Sequence, residues 1–241
     1  MNGKLHILKN PEELADHFAD QLMEGVERFY GLAYHLAISG GRTPDRLFSA
    51  LANKYAESPL WQKVHFWWVD ERMVPMNYSE SNFGVVQRLL FPYIIIPEEN
   101  IHRIKGENDP ESEAISYSAQ IEENLKQSNG LPVFDMIILG IGDDGHTASI
   151  FPNQMELLGS DRICEVATQP LTGQQRITLT GRVINNADKV CFLVTGAAKA
   201  RRLSEIWGNQ TMANLLPAAH IQPTSGNLEW YIDESVSVFT Q

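Results

Sequence analysis

Short apolar runs alternate with amphipathic stretches along almost the whole chain of 241 residues, and this alternation limits the possible folds more than any other feature. The most apolar run spans residues 134–140, and a run rich in aromatic and β-branched residues spans 64–69. Strands with so few polar positions are typical of a parallel sheet that is covered by helices on both faces. We therefore predict an α/β fold of three layers around a mostly parallel central sheet.

The individual elements follow from local periodicity and from helix-start signals. Strands are predicted at residues 5–8, 34–39, 64–69, 100–104, 134–140, 163–168, 176–180, 189–195 and 228–233. Helices are predicted at residues 11–29, 44–52, 81–90, 110–127 and 197–207. Because no repeat, low-complexity segment or linker interrupts the alternation, we predict one domain over residues 1–241.

Composition and charge exclude several classes of protein. The formal net charge is −11, with 30 acidic against 19 basic residues, whereas a general nucleic-acid binder needs an excess of Lys and Arg. Residues 1–9 lack the apolar core of a signal peptide, and no apolar run approaches the roughly 18 residues that span a membrane. The two cysteines, Cys164 and Cys191, lack the spacing of a metal site or a disulfide framework. We therefore expect a cytoplasmic protein without nucleic-acid or membrane partners, acting as a monomer or a small homo-oligomer.

Glycines and charged side chains gather where four of the predicted strands end. These places are residues 39–41, 70–72, 140–146 and Gly196. In open α/β sheets, ligands bind in the crevice at the carboxyl ends of the strands. This coincidence is the main structural reason to expect an active site.

The first of these motifs is a glycine turn that leads into a predicted helix. Its residues are Ser39, Gly40, Gly41, Arg42, Thr43 and Pro44. The glycines allow a sharp turn that leaves N–H groups exposed, Thr43 could cap the helix, and Pro44 suits its first turn. The helix N-terminus would then attract a phosphate. An ordinary strand–turn–helix joint explains the same residues, and the motif alone slightly favours that explanation.

The second motif places Asp70, Glu71 and Arg72 directly after the strand at 64–69. An arginine can bind a phosphate or a developing oxyanion in a fixed fork geometry. A salt-bridged surface turn is the alternative, and the tripeptide by itself favours it. Asn82 follows in a predicted helix cap, from which its side chain could also reach a ligand.

The third motif surrounds His146 with two acids and three glycines after the most apolar strand. Glycines such as Gly142 allow a ligand to approach closely. We predict that His146 lies at or before a short helix, whose N-terminus disfavours the imidazolium and leaves a proton-accepting imidazole. Asp143 or Asp144 could orient its other ring nitrogen. This setting is uncommon for a histidine in a structural turn, so the motif favours function. His6 and His65 lie within strands and are interpreted as structural.

Two further cations are candidates for binding an anion. Lys199 is predicted in the first turn of a helix, where a cation opposes the helix dipole unless an anion is bound there. Arg176 begins a predicted strand, where it could equally be an edge charge that blocks aggregation. Simple solvent exposure would explain Lys199, so neither residue is decisive alone.

Taken in order, these segments closely resemble the lactonases of the glucosamine-6-phosphate isomerase/6-phosphogluconolactonase family. The resemblance covers residues 39–44, 68–75, 81–82, 140–152, 176–180, 196–199 and 216–218. The run at 144–152, Asp-Gly-His-Thr-Ala-Ser-Ile-Phe-Pro, is specific, whereas the glycine turn is shared with the wider superfamily. One departure is Arg42, where the lactonase pattern commonly has a small residue; it leaves the backbone cradle intact and adds a candidate cation for the phosphate.

The resemblance implies a modified Rossmann-like fold, 6-phospho-D-glucono-1,5-lactone as substrate, and no metal or cofactor. It implies His146 as the general base that activates water. Arg72, or backbone N–H groups of a glycine turn, would stabilise the oxyanion. Asp70 would orient either His146 or the sugar hydroxyls, and these two roles stay open.

The resemblance also suggests which residues bind the substrate. Its candidates are Ser39, Gly40, Gly41, Arg42, Thr43, Asn82, Gly142, Asp144, Arg176 and Lys199. Thr43, Arg176 and Lys199 would hold the phosphate, which fixes the lactone carbonyl against the base. Because a net charge of −11 would otherwise repel the substrate, we hypothesise that Arg176 and Lys199 meet around the phosphate from separate strand ends of one sheet.

Two rival functions remain. Glucosamine-6-phosphate deaminases share the glycine turn, but their pattern expects a catalytic Glu shortly after the histidine, where this chain has Ser-Ile-Phe-Pro at 149–152. A non-catalytic sugar-phosphate sensor is the second rival. The sequence has no segment left over for a DNA-binding module, and the presence of both His146 and Arg72 favours catalysis.

Overall fold

The structure, a computed structural model, describes residues 3–208 and 210–237. Its strands are β1 (Lys4–Leu8), β2 (Tyr34–Ile38), β3 (Val64–Trp68), β4 (Asp70–Arg72), β5 (Ile101–His102), β6 (Gln127–Ser128), β7 (Leu131–Pro132), β8 (Met136–Leu139), β9 (Cys164–Thr168), β10 (Gln175–Leu179), β11 (Val190–Val194) and β12 (Leu228–Asp233). Its α-helices are α1 (Pro11–Arg28), α2 (Arg42–Tyr55), α3 (Asn82–Leu89), α4 (Pro110–Asn124), α5 (Gly181–Asn185), α6 (Ala200–Gly208), α7 (Gln210–Ala213) and α8 (Glu234–Ser237). Short 3₁₀ turns lie at Pro59–Lys63, Phe91–Tyr93, Glu98–Asn100, Met155–Leu158, Ala197–Lys199 and Pro217–His220.

Seven strands form one parallel sheet in the order β1-β12-β11-β8-β2-β3-β5. From β2 the chain moves outward to β3 and β5, and from β8 it moves the other way to β11 and β12. The order therefore reverses between β2 and β8, and such a switch point opens a ligand crevice at the carboxyl ends of the strands. The predicted α/β fold with a mostly parallel sheet is confirmed.

Burial explains why the apolar runs become central strands. Every residue of β8 and β11 is buried, as a parallel sheet covered on both faces requires. Helix α1 begins after Asn10, whose side chain accepts a hydrogen bond from the backbone N–H of Glu13. Its buried residues recur at helical spacing and pack against the sheet and α2. None of the helices in the described ranges is long and apolar enough to cross a membrane.

A second sheet of three antiparallel strands, in the order β4-β10-β9, joins the first at Val69. The Val69 N–H donates to the carbonyl of Ile38 in β2, and its carbonyl accepts from the Leu179 N–H in β10. The hypothesis that Arg176 and Lys199 belong to strand ends of one sheet is therefore wrong. Only six residues connect β9 to β10, which is too short for a parallel crossover and forces an antiparallel hairpin.

Other departures from the predicted elements are local. The helix predicted at 197–207 begins as the 3₁₀ turn Ala197–Lys199 before α6. The predicted strand at 100–104 keeps only the two residues of β5, and the charged strand β4 was not predicted at all. The single domain over 1–241 stays a prediction, which one continuous hydrophobic cluster running from Leu14 to Val236 supports.

Candidate active site

A cleft of about 450 Å³ opens at the carboxyl end of the parallel sheet, where the strand order reverses. It is lined by Pro11, Ser39, Gly40, Gly41, Arg42, Thr43, Pro44, Arg46, Asp70, Arg72, Asn82, Gly140, Ile141, Gly142, His146, Ala148, Arg176, Leu193, Val194, Thr195, Gly196 and Lys199. Every candidate residue from the sequence lies in this lining except Asp144, which contacts His146 from behind. The cleft is therefore one place where all the candidates can act together.

The glycine turn after β2 presents the N-terminus of α2 to the cleft. Gly41 has φ +116°, a value that side chains disfavour, and the space around it is open. The first N–H groups of α2 have no partner within the helix, so they can bind an anion. At Gly40, a Cβ would lie 1.9 Å from the Asn82 side-chain oxygen, so glycine is required for Asn82 to keep this position.

The two hydroxyls of this segment form hydrogen bonds with residues of neighbouring strands or of the loops that follow them. Ser39 Oγ donates to the carbonyl of Ile138 in β8 at 2.9 Å. Thr43 Oγ1 lies 2.7 Å from Thr195 Oγ1, which follows β11. The prediction that Thr43 caps the helix is wrong, because α2 begins at Arg42 and Gly41 occupies the cap position. The glycine backbone can turn sharply enough for the helix to start two residues earlier.

The acids of the second motif have separate surroundings. Buried Glu71 accepts hydrogen bonds from the backbone N–H groups of Asn82 and Phe83 and thereby fixes the start of α3. Burial raises the pKa of its carboxyl group. The Asn82 side chain donates to the backbone carbonyl of Asp70 at 2.8 Å. Glu71 is thus structural, whereas the neighbouring Asp70 side chain lines the cleft.

Two arginines face each other at the junction of the small sheet and the cleft. Arg72 in β4 is directly opposite Arg176 in β10, although like charges in this position destabilise a sheet. Both Nε atoms are buried without a hydrogen-bond partner among the described residues. Burial lowers the pKa of Arg176, whose guanidinium lies 5.6 Å from the ring centre of Phe151. An anion bound in the cleft would relieve both the repulsion and the missing hydrogen bonds.

His146 is held by Asp144 rather than Asp143. Its Nδ1 lies 2.6 Å from Asp144 Oδ1, which also accepts the His146 backbone N–H at 3.1 Å. Burial opposes ionisation of Asp144, but the contacts with His146 prevail and lower the pKa of that carboxyl to about 2. Because an ionised carboxylate only accepts, Nδ1 carries the proton and Nε2 keeps its lone pair.

The loop around His146 differs from the prediction. His146 does not start a helix; it closes a turn in which the Gly142 N–H donates to the His146 carbonyl at 2.8 Å. A Cβ at Gly142 would lie 2.1 Å from His146 Nδ1, so glycine is required for this ring position. The imidazole is therefore controlled by a carboxylate and not by a helix dipole.

Lys199 already has a partner in the unliganded protein. It ends the 3₁₀ turn Ala197–Lys199, and its ammonium group donates to the carboxylate of Asp143, whose pKa this contact lowers. An internal carboxylate therefore already offsets the charge of Lys199 before any ligand anion binds, and the phosphate-binding role stays a prediction. The Asp143 side chain is 84% exposed, so a stronger anion entering the cleft can displace it.

Sequence reasoning did not identify three polar side chains of this region as members of the site. Thr195 directly follows β11, so the rule that strand ends carry the site could have found it. Arg46 lies one helical turn after Arg42 and pairs with Glu12 at 3.1 Å. Buried Ser149 touches both Asp70 and Arg176, a contact that no sequence spacing indicates. In the part of the chain that the structure describes, no group of three His, Cys, Asp or Glu side chains could hold a metal ion.

Known proteins resemble this chain over nearly its full length. Residues 9–230 match the family model described as glucosamine-6-phosphate isomerases/6-phosphogluconolactonase. The 6-phosphogluconolactonase of Haemophilus influenzae is 43% identical over 224 residues, which cover 92% of this chain and 94% of that protein. The crystal structure of the devB protein matches with a TM-score of 0.92 and 39% identity, covering 97% of this chain and 98% of that one. The 6-phosphogluconolactonase of Thermotoga maritima matches with a TM-score of 0.83 and 28% identity, covering 96% of this chain and 100% of that one.

Proposed function

The chain belongs to the family of glucosamine-6-phosphate isomerases and 6-phosphogluconolactonases, and we propose that it hydrolyses 6-phospho-D-glucono-1,5-lactone to 6-phospho-D-gluconate. This reaction is a step of the oxidative pentose phosphate pathway. The observation that carries the proposal is the contact of 2.6 Å between His146 and Asp144, which leaves Nε2 as a base at a cleft lined by cations. The substantial identity to a named lactonase supports the same reaction.

His146 acts as the general base in this proposal. Its Nε2 takes a proton from a water molecule, whose oxygen attacks the lactone carbonyl carbon and forms a tetrahedral oxyanion. The ionised Asp144 stabilises the imidazolium that results. The imidazolium then gives its proton to the ring oxygen as the carbon–oxygen bond breaks, so the base is regenerated and the acid product is released.

In this proposal different cations of the cleft stabilise the two negative charges of the reaction, the oxyanion and the phosphate. Arg72, with its unpartnered Nε, is positioned for the oxyanion, and backbone N–H groups of the glycine turn are the alternative donors. Arg176, Lys199, Thr43 and the N-terminus of α2 hold the phosphate. Asp70 binds a sugar hydroxyl or orients the catalytic group. These local cations overcome the repulsion expected from a net charge of −11.

The deaminase reaction of the same family fits this cleft less well. The stretch after His146 that would supply a catalytic Glu contains Ser149 and Phe151, both buried. The carboxylate nearest to the histidine, Asp144, is already engaged by Nδ1. We therefore propose the lactonase and keep deamination as an outcome of the test.

The experiment is hydrolysis of freshly prepared 6-phosphogluconolactone, corrected for its spontaneous opening and run with and without a chelator. We expect acceleration that the chelator does not change. Glucosamine-6-phosphate is the matched second substrate, for which we expect no release of ammonia. Ammonia release without lactone hydrolysis would replace the proposal by a deaminase, and binding without either reaction would replace it by a sensor.

We also propose that the protein works in the cytoplasm. Both cysteines, Cys164 and Cys191, are buried free thiols, and burial raises the pKa of each to about 12. Free buried thiols are ordinary in a reducing compartment. Fractionation of cells followed by detection of the protein tests this location. The oligomeric state stays a prediction of monomer or small homo-oligomer.

A further inference from the structure

Ser149 lies between two groups of opposite charge at the base of the cleft. Its side chain is completely buried, and its Oγ donates to Asp70 Oδ2 at 2.6 Å. The same Oγ accepts a longer hydrogen bond, 3.4 Å, from Nη1 of Arg176. The hydroxyl therefore bridges a buried carboxylate and a half-buried guanidinium.

The backbone around Ser149 is built to hold this position. Ala148, the preceding residue, has φ +52°, a conformation that residues other than glycine rarely adopt. The Ser149 N–H donates to Thr178 Oγ1 at 3.2 Å, and the Thr178 hydroxyl donates onward to the Leu179 carbonyl. A rare conformation next to an active site persists only where surrounding contacts enforce it, and here it sets the direction of one hydroxyl.

The charges on either side of this hydroxyl would otherwise combine. Asp70 is buried and Arg176 is half-buried, and opposite charges in such surroundings attract more strongly than in water. Yet no ion pair joins the two side chains among residues 3–208 and 210–237, and Arg176 Nε has no hydrogen-bond partner. The guanidinium thus keeps donor capacity that a direct fork onto Asp70 would consume.

We propose that Ser149 is a positioning residue that keeps Asp70 and Arg176 apart, so that Arg176 stays available for the substrate phosphate. The inference rests on the proposed function, because it needs a phosphate in the cleft. Without the hydroxyl, Asp70 lacks a buried donor and Arg176 turns onto it. The phosphate then has to compete with an internal carboxylate for the same guanidinium.

Binding of the product, 6-phosphogluconate, measured by titration calorimetry tests the proposal without relying on catalysis. We expect Ser149→Ala to weaken binding by about tenfold or more, since one charged hydrogen bond to the phosphate is lost. In the Asp70→Asn background, where no ion pair can form, the same substitution changes affinity by less than about threefold. A purely structural hydroxyl would not show this rescue.

Thr180→Val is the matched control. Thr180 is also completely buried in the described structure, and its Oγ1 donates to the Arg162 carbonyl at 2.8 Å outside the cleft. The control loses one buried hydrogen bond, so it should lower the melting temperature and leave the affinity unchanged. If Ser149→Ala does not fold, Ser149→Cys, which keeps the volume but donates weakly, should weaken binding in the same direction.

Two results would overturn the inference. One is a folded Ser149→Ala variant that binds 6-phosphogluconate as tightly as the parent protein. The other is a weakened variant that Asp70→Asn does not rescue. Failure of the proposed function gives a different result, because the parent protein would then neither hydrolyse the lactone nor bind 6-phosphogluconate. In that case inorganic phosphate is the probe. Its affinity for the parent, Ser149→Ala, Asp70→Asn and the double variant should still show the loss and the rescue described above.

Discussion

The histidines at one side of the sheet and the histidine at the cleft use the same side chain in opposite ways. His35, His65 and His102 lie on the adjacent strands β2, β3 and β5, within the packed body of the sheet. His146 lies beyond the carboxyl end of β8, at the cleft. The partners of each ring account for the difference.

Among His35, His65 and His102, neutral groups satisfy the imidazoles. His65 Nδ1 lies 3.0 Å from His102 Nε2, and Trp67 donates its indole N–H to His35 at 3.1 Å. Burial lowers the pKa of His35 and of His102 to about 4, and the neighbouring His65 adds to this shift. These rings are therefore neutral at physiological pH and pack as aromatic surface, with His102 stacked 3.8 Å from Trp67.

At the cleft, a carboxylate satisfies the imidazole. His146 is 27% exposed and contacts ionised Asp144, so it can accept a proton and hold the charge. A charged partner alone does not make a base, since His6 in β1 also contacts a carboxylate, Glu229, at 3.0 Å. His146 combines such a partner with a position in the lining of the cleft. Substitutions in the two regions should consequently have different effects.

The largest expected effect is the loss of activity when the histidine at the cleft is replaced. His146→Ala should reduce lactone hydrolysis by about 10²–10⁴-fold with the fold intact, because positioned acid–base catalysis is lost. His65→Gln, in the packed group, should retain most of the activity at neutral pH. Initial rates and thermal melts of both variants check this prediction, and near-normal turnover by folded His146→Ala would remove His146 from the mechanism.

The next effect concerns the cations that make the cleft different from the packed interior. Arg176→Ala and Lys199→Ala should each weaken binding of the phosphorylated lactone by about ten- to a hundredfold, the usual contribution of a charged hydrogen bond. Hydrolysis of unphosphorylated gluconolactone should change little. Steady-state kinetics with both lactones measure the contrast.

Arg201→Ala is the control for these two variants. Arg201 lies two residues beyond Lys199, but its side chain is 80% exposed and pairs with Glu205 rather than lining the cleft. It should behave like the parent protein with both lactones. If Arg176→Ala or Lys199→Ala slowed both lactones equally, that residue would not be a phosphate anchor.

Much of the fold can be predicted from the sequence because the central strands of a parallel sheet consist mostly of apolar residues. Residues 134–140 and 228–233 were recognisable for this reason, and 228–233 coincides with β12. Strand β4 was not recognisable, since its three residues, Asp70–Arg72, are charged and pair only with the distant β10. A strand whose stability comes from a partner a hundred residues away leaves no local pattern.

Most of the polar residues that line the cleft could be predicted for a related reason, because the carboxyl ends of parallel strands lie at one edge of the sheet. The contacts between these residues could not be predicted. The pairing of Lys199 with Asp143 and the bridge through Ser149 depend on loop conformations, such as the positive φ of Ala148, that no residue pattern specifies. The roles of the site residues stay predictions until the variants are measured.

A smaller effect concerns the buried histidines and appears in the stability of the protein rather than in its activity. His35 and His102 have a pKa of about 4 in the folded protein and about 6.5 when unfolded, so between these values the unfolded chain binds more protons. The free energy of unfolding should therefore fall as the pH drops from about 6.5 towards 4. His35→Gln should reduce the loss between pH 7 and pH 5 by about 1–2 kcal/mol.

Urea unfolding at a series of pH values measures this difference. Between pH 7 and pH 8 these rings are mostly neutral in both states, so the difference between the two proteins should change by less than about 0.2 kcal/mol there, which serves as the internal control. Parallel stability curves from pH 7 down to pH 5 would show that His35 does not resist protonation in the folded state.

The smallest effect distinguishes an exchangeable pair at the cleft from the fixed pairs of the interior. Lys199 donates to Asp143, whose carboxylate is largely exposed, and the substrate phosphate would have to displace it. Exposed ion pairs contribute only about 0.2–1 kcal/mol, so Asp143→Asn should tighten binding of 6-phosphogluconate by about 1.4- to fivefold. The gain should shrink as salt is added, because screening weakens exposed pairs. Asp161→Asn, which removes an equally exposed partner of Arg182 away from the cleft, should change nothing. Weaker binding by Asp143→Asn in calorimetry would mean that Asp143 holds Lys199 in place for the phosphate instead of competing with it.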